Sequence, residues 1–383
     1  MDDQTNHISV QTLAAQTFGG HEPVTNAVIP PIHMSATFLR DPDNGYPAGY
    51  VYGRTDNLSV QQAESFITSL EGAEEALLFS SGMAAATSIF LALEKPTHII
   101  ASRVMYWGFR SWLREISRYG HQITFVETSD LDAVCAAVRP GETGLFWIET
   151  PSNPLWTITD IAAVAEIAHA CDAILCIDST VATPILTRPL SLGADIAMHS
   201  ATKYLNGHSD VIAGALATAR DDSLWQRIRR TRGQLGSALG GFDAWLLMRG
   251  MRTLDLRVRR QAQTAAILAA RLVGHPAVSA VLYPGLEQHA GHAVALRQMA
   301  GGFGGMLSLR IKQGDAAAIA VAAAVTLWKR ATSFGGIESL IEHRASIEGE
   351  GSPCPGDLLR LSAGLEDADD LYFDLHRALA VAA

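Results

Sequence analysis

The chain has 383 residues, 48% of them apolar and 18% charged, the profile of a globular protein too long for one small core. Its formal charge of −10 argues against a nucleic-acid partner, because contacts to phosphate dominate that kind of binding. The longest apolar run, residues 316–328, falls short of the roughly 20 residues that span a bilayer, so no membrane partner is expected.

Residues 1–50 hold VIPPIHMSATF and DPDNGYPAGY, rich in Pro, Asn and Gly and without sustained periodicity, and read as an N-terminal arm. The opening stretch MDDQTNHIS is polar and acidic and carries no signal-peptide pattern. From about residue 70 the pattern alternates. EEALLFS predicts a strand and GMAAATSIFLALE the helix after it. HIIAS and QITFVET predict strands, separated by the helix GFRSWLREISRYG and followed by the helix DLDAVCAAV. TGLFWIET, AILCIDST and GADIAMHS predict three more strands, with the helix ITDIAAVAEIAHACD between the first two.

Short apolar strands alternating with amphipathic helices imply an α/β fold, a mainly parallel sheet flanked by helices on both faces. One long helical stretch, WLLMRGMRTLDLRVRRQAQTAAILAARLV, then leads into a smaller C-terminal α/β region whose clearest strands are GGMLSLRI and LLRLSAGLED. The expected domains are 51–250 and 251–383. The basic clusters RIRRTRG and RVRR lie among apolar residues at helical spacing and read as helix faces or subunit contacts, with an anion site as the alternative. The cysteines at 135, 171, 176 and 354 form no C-x-x-C pair; reduced thiols and a cytoplasmic location are expected.

In parallel sheets ligands bind outside the carboxyl ends of the strands. Ser80, Ser81, Gly82 and Met83 follow the first strand and open a helix, and Tyr106 follows the second. Glu149, Pro151 and Asn153 end TGLFWIET; Asp178 and Thr180 end AILCIDST; Ser200, Thr202 and Lys203 end GADIAMHS. Free N–H groups at a helix start suit a phosphate, although a plain Ser/Gly cap accounts equally for SSGM taken alone. Asp178 ends a run expected to be buried, where a carboxylate needs a cation: a structural ion pair or a ligand. Lys203, beside hydroxyls and at the mouth of the sheet, is placed to form an imine with a carbonyl. A Schiff-base lysine, an acid for a pyridinium nitrogen and a phosphate cradle are together the parts of a pyridoxal 5'-phosphate site.

These residues lie in longer stretches that carry a resemblance. VYGRTDN, LEGAEEALLFSSGMAA, ETPSNPLWTITDI, IDSTVATPILTRPLSLGADIAMHSATKYLNGHSDVIAG, FDAWLLMRGMRTLDLR, GGFGGMLS, SFGGIESLIEH and LLRLSAGLEDADDL follow one another in order. In these the sequence resembles the pyridoxal-phosphate enzymes of cysteine and methionine metabolism, the cystathionine γ-synthase and lyase group, over about residues 10–380. The resemblance implies the aspartate-aminotransferase-like type I fold, usually a tetramer of two tight dimers. It implies that Lys203 bonds the cofactor aldehyde and shuttles protons, that Asp178 keeps the pyridine nitrogen protonated, and that Tyr106 stacks on the ring as an acid/base group. Thr180 belongs to the same cofactor shell. Gly82, Met83, Ser200 and Thr202 would hold the phosphate, joined by Tyr52 and Arg54 from a neighbouring subunit. Arg360 would grip the substrate α-carboxylate in a two-pronged ion pair, helped by Ser333 and Asn153.

The departures from the family pattern fall on the substrate side. Its Tyr-Gly-Gly-Thr is here Tyr106-Trp107-Gly108-Phe109, with Arg110 adding a charge nearby. Thr332 stands before the serine of SFGG, where Glu or Tyr is usual, and Ser179 stands where Asn is usual after the sheet aspartate. The usual His-Pro and Met-Thr-His run is replaced by His343-Arg344-Ala345-Ser346-Ile347-Glu348-Gly349. The expected reaction is γ-replacement on an activated homoserine ester: Lys203 takes protons from Cα and Cβ, the ester leaves Cγ, and a thiol takes its place. Elimination from cystathionine, methionine or a related sulfur amino acid is the alternative. A non-catalytic scaffold has no use for Lys203, Asp178, Tyr106 and Arg360 together, and no Gly-x-Ser-x-Gly elbow surrounds Ser81 to make a serine hydrolase.

Overall fold

In a computed structural model, which describes residues 8–16, 22, 24–349 and 351–382, the apolar runs between residues 75 and 218 join one seven-stranded sheet. Its strands are β1 (Glu75–Phe79), β2 (His98–Ser102), β3 (Gln122–Val126), β4 (Thr143–Glu149), β5 (Ile174–Asp178), β6 (Ile196–His199) and β7 (Gly214–Thr218). They lie in the order β1-β7-β6-β5-β4-β2-β3. The strands from β2 to β6 are parallel to their neighbours, as the alternating pattern implies, and β7 runs antiparallel to both β1 and β6. Helices cover both faces, which is why β4 and β5 read as continuous apolar runs.

Local chemistry sets the helix starts. Asn57, Ser81, Asp130 and Asp160 each cap a helix by accepting the backbone N–H three residues on. The mainly parallel sheet flanked by helices that the sequence implies is the architecture seen here.

One strand goes unannounced in the sequence, and one local expectation is corrected. The strand β7 carries no strong signal, because GALAT is short and built of small residues; pairing on both sides makes it a strand. The expected long helix is two, Gly241–Met251 and Leu254–Leu272, broken at Arg252 and Thr253. Gly250 sits so close to the Asn206 carbonyl oxygen that a Cβ would lie 2.2 Å from it. Arg257 donates to Gly250 O at 2.9 Å and Tyr204 O at 2.8 Å, satisfying carbonyls at the break. Arg257, part of the RVRR cluster, is thus a buried clamp rather than a subunit contact.

The helix Leu254–Leu272 ties two cores together. Leu254 and Val258 pack under the large sheet; Ala265, Leu268 and Leu272 pack against a second sheet. That sheet comprises β8 (Val278–Leu282), β9 (Met306–Ile311), β10 (Lys329–Arg330), β11 (Leu340–His343) and β12 (Leu358–Ser362), in the order β10-β11-β12-β9-β8. Among the described residues no helix is long and apolar enough to cross a membrane.

Candidate functional site

The carboxyl ends of β4, β5 and β6 are adjacent, with Glu149 opposite Asp178 and Asp178 opposite Met198. The turn after β6 brings Ser200, Thr202 and Lys203 to the same edge, where a cavity of about 250 Å³ opens. Gly82, Met83, Tyr106, Asn153, Asp178, Thr180, Ser200, Thr202 and Lys203 all line it, so most of the sequence-derived site comes together.

One end of the cavity is built for an anion. Ser81 caps the helix Gly82–Leu91 by accepting the Ala84 N–H at 3.0 Å. The Gly82 and Met83 amides are first-turn donors that the helix itself does not use, and they lie at the positive end of its dipole. A Cβ on Gly82 would sit 2.9 Å from Ser200 Cβ and Oγ, so only glycine allows the helix start and the Ser200 turn to close together. Thr202 Oγ1 both donates to Ala213 O and accepts from Ala213 N, so its hydroxyl chiefly braces the Lys203 turn.

The centre holds two acids. Asp178 Oδ1 accepts from Thr180 N at 3.0 Å and Thr180 Oγ1 at 2.6 Å, while the same hydroxyl accepts the Ser200 N–H at 2.8 Å. Asp178 makes no ion pair among the described residues, and burial pushes its carboxyl above the ordinary range. The structural-ion-pair alternative is thereby removed, leaving an acid that suits a cationic ligand.

Glu149, noted from sequence only as a strand end, has a defined task. Its Oε2 accepts from Tyr106 N and its Oε1 from Asn153 N, each at 2.7 Å. It therefore fixes the backbone of two residues that line the cavity, Tyr106 and Asn153. Burial, then the neighbouring Asp178, push its carboxyl well above the ordinary range. An acidic residue closing a fully apolar strand was the available signal.

Lys203 Nζ donates to Ser333 Oγ at 2.7 Å and lies 5.1 Å from the centre of the Phe334 ring. Burial, then the charge of Arg360, lower the amine to about 8. Ser333 itself has a φ of 89°, unusual for a residue with a side chain, and points Oγ at the lysine. Arg360 stands one layer back rather than on the cavity wall: Nη1 donates to Asn153 Oδ1 at 3.1 Å and Nη2 to Ser333 O at 2.8 Å. Tyr52 and Arg54 are outside this cavity; Arg54 donates to Gly233 O and both side chains are exposed.

The departures sort differently from their sequence positions. Phe109 lines the wall but belongs to the core, 4.6 Å from Trp147 and stacked on Trp112. Arg110 is buried and faces Glu348, so its charge is not presented to the cavity. Thr332 is exposed and Ser179 fully buried.

An anion cradle, an acid without a cation, a half-exposed aromatic ring and a low-pKa amine around one slot fit a planar, phosphorylated, aldehyde-bearing group. The chain matches the family described as Cys/Met metabolism PLP-dependent enzymes over residues 11–380. It is 43% identical to the cystathionine γ-synthase of Mycobacterium tuberculosis, covering 99% of both chains. It is 40% identical to a cystathionine γ-lyase of Bacillus subtilis, covering 93% of this chain and 95% of that one. The crystal structure of metB from Corynebacterium glutamicum superposes with a TM-score of 0.94 at 38% identity, over 98% of each chain.

Proposed function

Because the chain belongs to the pyridoxal-phosphate-dependent enzymes of cysteine and methionine metabolism, we propose that it catalyses γ-replacement on an activated homoserine ester by a thiol, with cysteine giving cystathionine. Pyridoxal 5'-phosphate is its cofactor, and when bound supplies the electron sink that stabilises negative charge at the substrate's carbons. Lys203 Nζ would hold its aldehyde end, Asp178 its ring nitrogen and Tyr106 its face, while Gly82, Met83, Ser200 and the turn at Thr202 would hold its phosphate.

The observation that carries the reading is Lys203: a part-buried amine lowered to about 8, hydrogen-bonded to Ser333 and within the field of the buried Arg360 guanidinium. Such an amine is partly neutral at physiological pH, so more of it than of a solvated lysine is free to accept a proton from a substrate carbon. Arg360, with Asn153 and Ser333, orients the α-carboxylate so that Cα and Cβ face Lys203 Nζ. The γ-synthase relative at 43% identity supports replacement. The γ-lyase relative at 40% supports elimination as the second reading, since both begin with the same proton removal.

We also place Tyr52 and Arg54 in the phosphate site of a second copy, with two such dimers forming a tetramer in the cytoplasm. The N-terminal arm that leads into them exposes apolar side chains, Val24, Val28, Met34 and Leu39, at between 70% and 94%. Four free cysteines agree with a reducing compartment.

Mass-spectrometric product analysis tests the reaction. O-acetyl- or O-succinylhomoserine with cysteine is expected to yield cystathionine. Pyruvate or 2-oxobutanoate from cystathionine, with no condensation, overturns replacement in favour of elimination.

A further inference from the structure

Behind the site lies a chain of buried charges that runs from residues of the family pattern into residues where this sequence departs from it. Glu342 on β11 is paired in register with Arg360 on β12. A single oxygen, Glu342 Oε2, accepts from Arg360 Nη2 at 2.5 Å and from Arg344 Nη1 at 2.9 Å. The other arm of Arg344, Nη2, donates to Glu348 Oε1 at 3.0 Å. Glu348 Oε2 is fixed by the Ser352 hydroxyl at 2.5 Å and faces Arg110 Nη2 at 3.9 Å. All five charged side chains are at most 8% exposed.

Two of these residues, Arg344 and Glu348, stand where the sequence departs from its family, and Arg110 extends the chain to the helix that Tyr106 begins. Among the described residues, three guanidiniums against two carboxylates leave one positive charge over. Among the described residues Arg344 Nε is buried without a partner, so its two acids hold the residue through its Nη groups alone. Burial opposes its charge, yet Glu342 and Glu348 hold its guanidinium above the ordinary arginine range.

We propose that Arg344 is a positioning residue for the substrate carboxylate: by sharing Glu342 it keeps the charge of Arg360 available to an incoming α-carboxylate. The inference rests on the reading that Arg360 binds that carboxylate. Without Arg344, Glu342 pairs with Arg360 alone, and a ligand carboxylate has to compete with a buried, undivided ion pair. Glu348, anchored by Ser352, keeps Arg344 stretched between the two acids.

The test uses the holoenzyme and two ligands differing only in the carboxylate, L-2-aminobutyrate and propylamine, each titrated by the visible absorbance of the bound cofactor. Arg344→Gln is expected to weaken L-2-aminobutyrate about tenfold, the coupling neighbouring charges of one network show, and to leave propylamine unchanged. Arg344→Lys keeps the charge but cannot bridge both acids, and is expected to fall between; should Arg344→Gln not fold, the lysine variant against the native protein decides. An equal loss for both ligands, or none for either, overturns the role of Arg344. If L-2-aminobutyrate leaves the native protein's spectrum unchanged, the carboxylate site at Arg360 fails instead.

Discussion

Lys203 shows how one side chain acquires its chemistry from its surroundings. Burial costs the charged amine its hydration, and Arg360 adds repulsion, so it titrates near 8 instead of above 10. A protonated amine cannot attack an aldehyde. Uptake of pyridoxal phosphate by the cofactor-free protein is therefore expected to accelerate about tenfold between pH 6 and pH 7 and to level off above pH 8. Stopped-flow absorbance measures this directly; a rate still climbing steeply to pH 10 contradicts the lowered amine. Lys203, Asp178 and Tyr106 were legible in the sequence because each stands at or just after the end of a strand, where a parallel sheet exposes its chemistry. The task of Glu149 was not, since it consists of the Tyr106 and Asn153 amides that the fold brings to it; Arg344 has its acids close in sequence, and only the fold shows that Arg360 shares Glu342 with it.

The elements hold the site through contacts that leave no room. Gly214, opening β7, would place a Cβ 2.2 Å from Ser81 O and 2.9 Å from Ala85 Cβ. Gly214→Ala is expected to push the helix Gly82–Leu91 off the sheet and to cost about 1–3 kcal/mol of stability, the usual scale of overpacking. Because that helix start cradles the phosphate, cofactor affinity falls as well. Thermal melting and an absorbance titration measure the two; unchanged values for both show that the helix start is free to move. The strands at the centre were legible because burial on both faces makes them uniformly apolar. The strand β7 and the break at Arg252 were not, because pairing and the Arg257 clamp made them.

At the scale of the whole molecule, a single chain exposes an apolar arm and keeps Tyr52 and Arg54 out of its own cavity. If these residues complete a neighbour's site, Lys203→Ala and Arg54→Ala subunits, each inactive alone, complement each other when unfolded and refolded together. Random pairing restores one intact site in half the dimers, about a quarter of the native activity. No recovery on mixing places Arg54 in its own subunit's chemistry or in none.

The sequence by itself determined the alternation of strands and helices, the strand ends that carry Lys203 and Asp178, and the cofactor they suit, because periodicity and local order express which residues are buried and where a strand stops. The tertiary structure decided which distant groups touch: Ser333 against Lys203, Glu149 beneath Tyr106, and Arg110, Glu348, Arg344, Glu342 and Arg360 in one buried line. Those contacts join residues up to about 240 positions apart, and their strength comes from desolvation that exists only once the two sheets have closed over them.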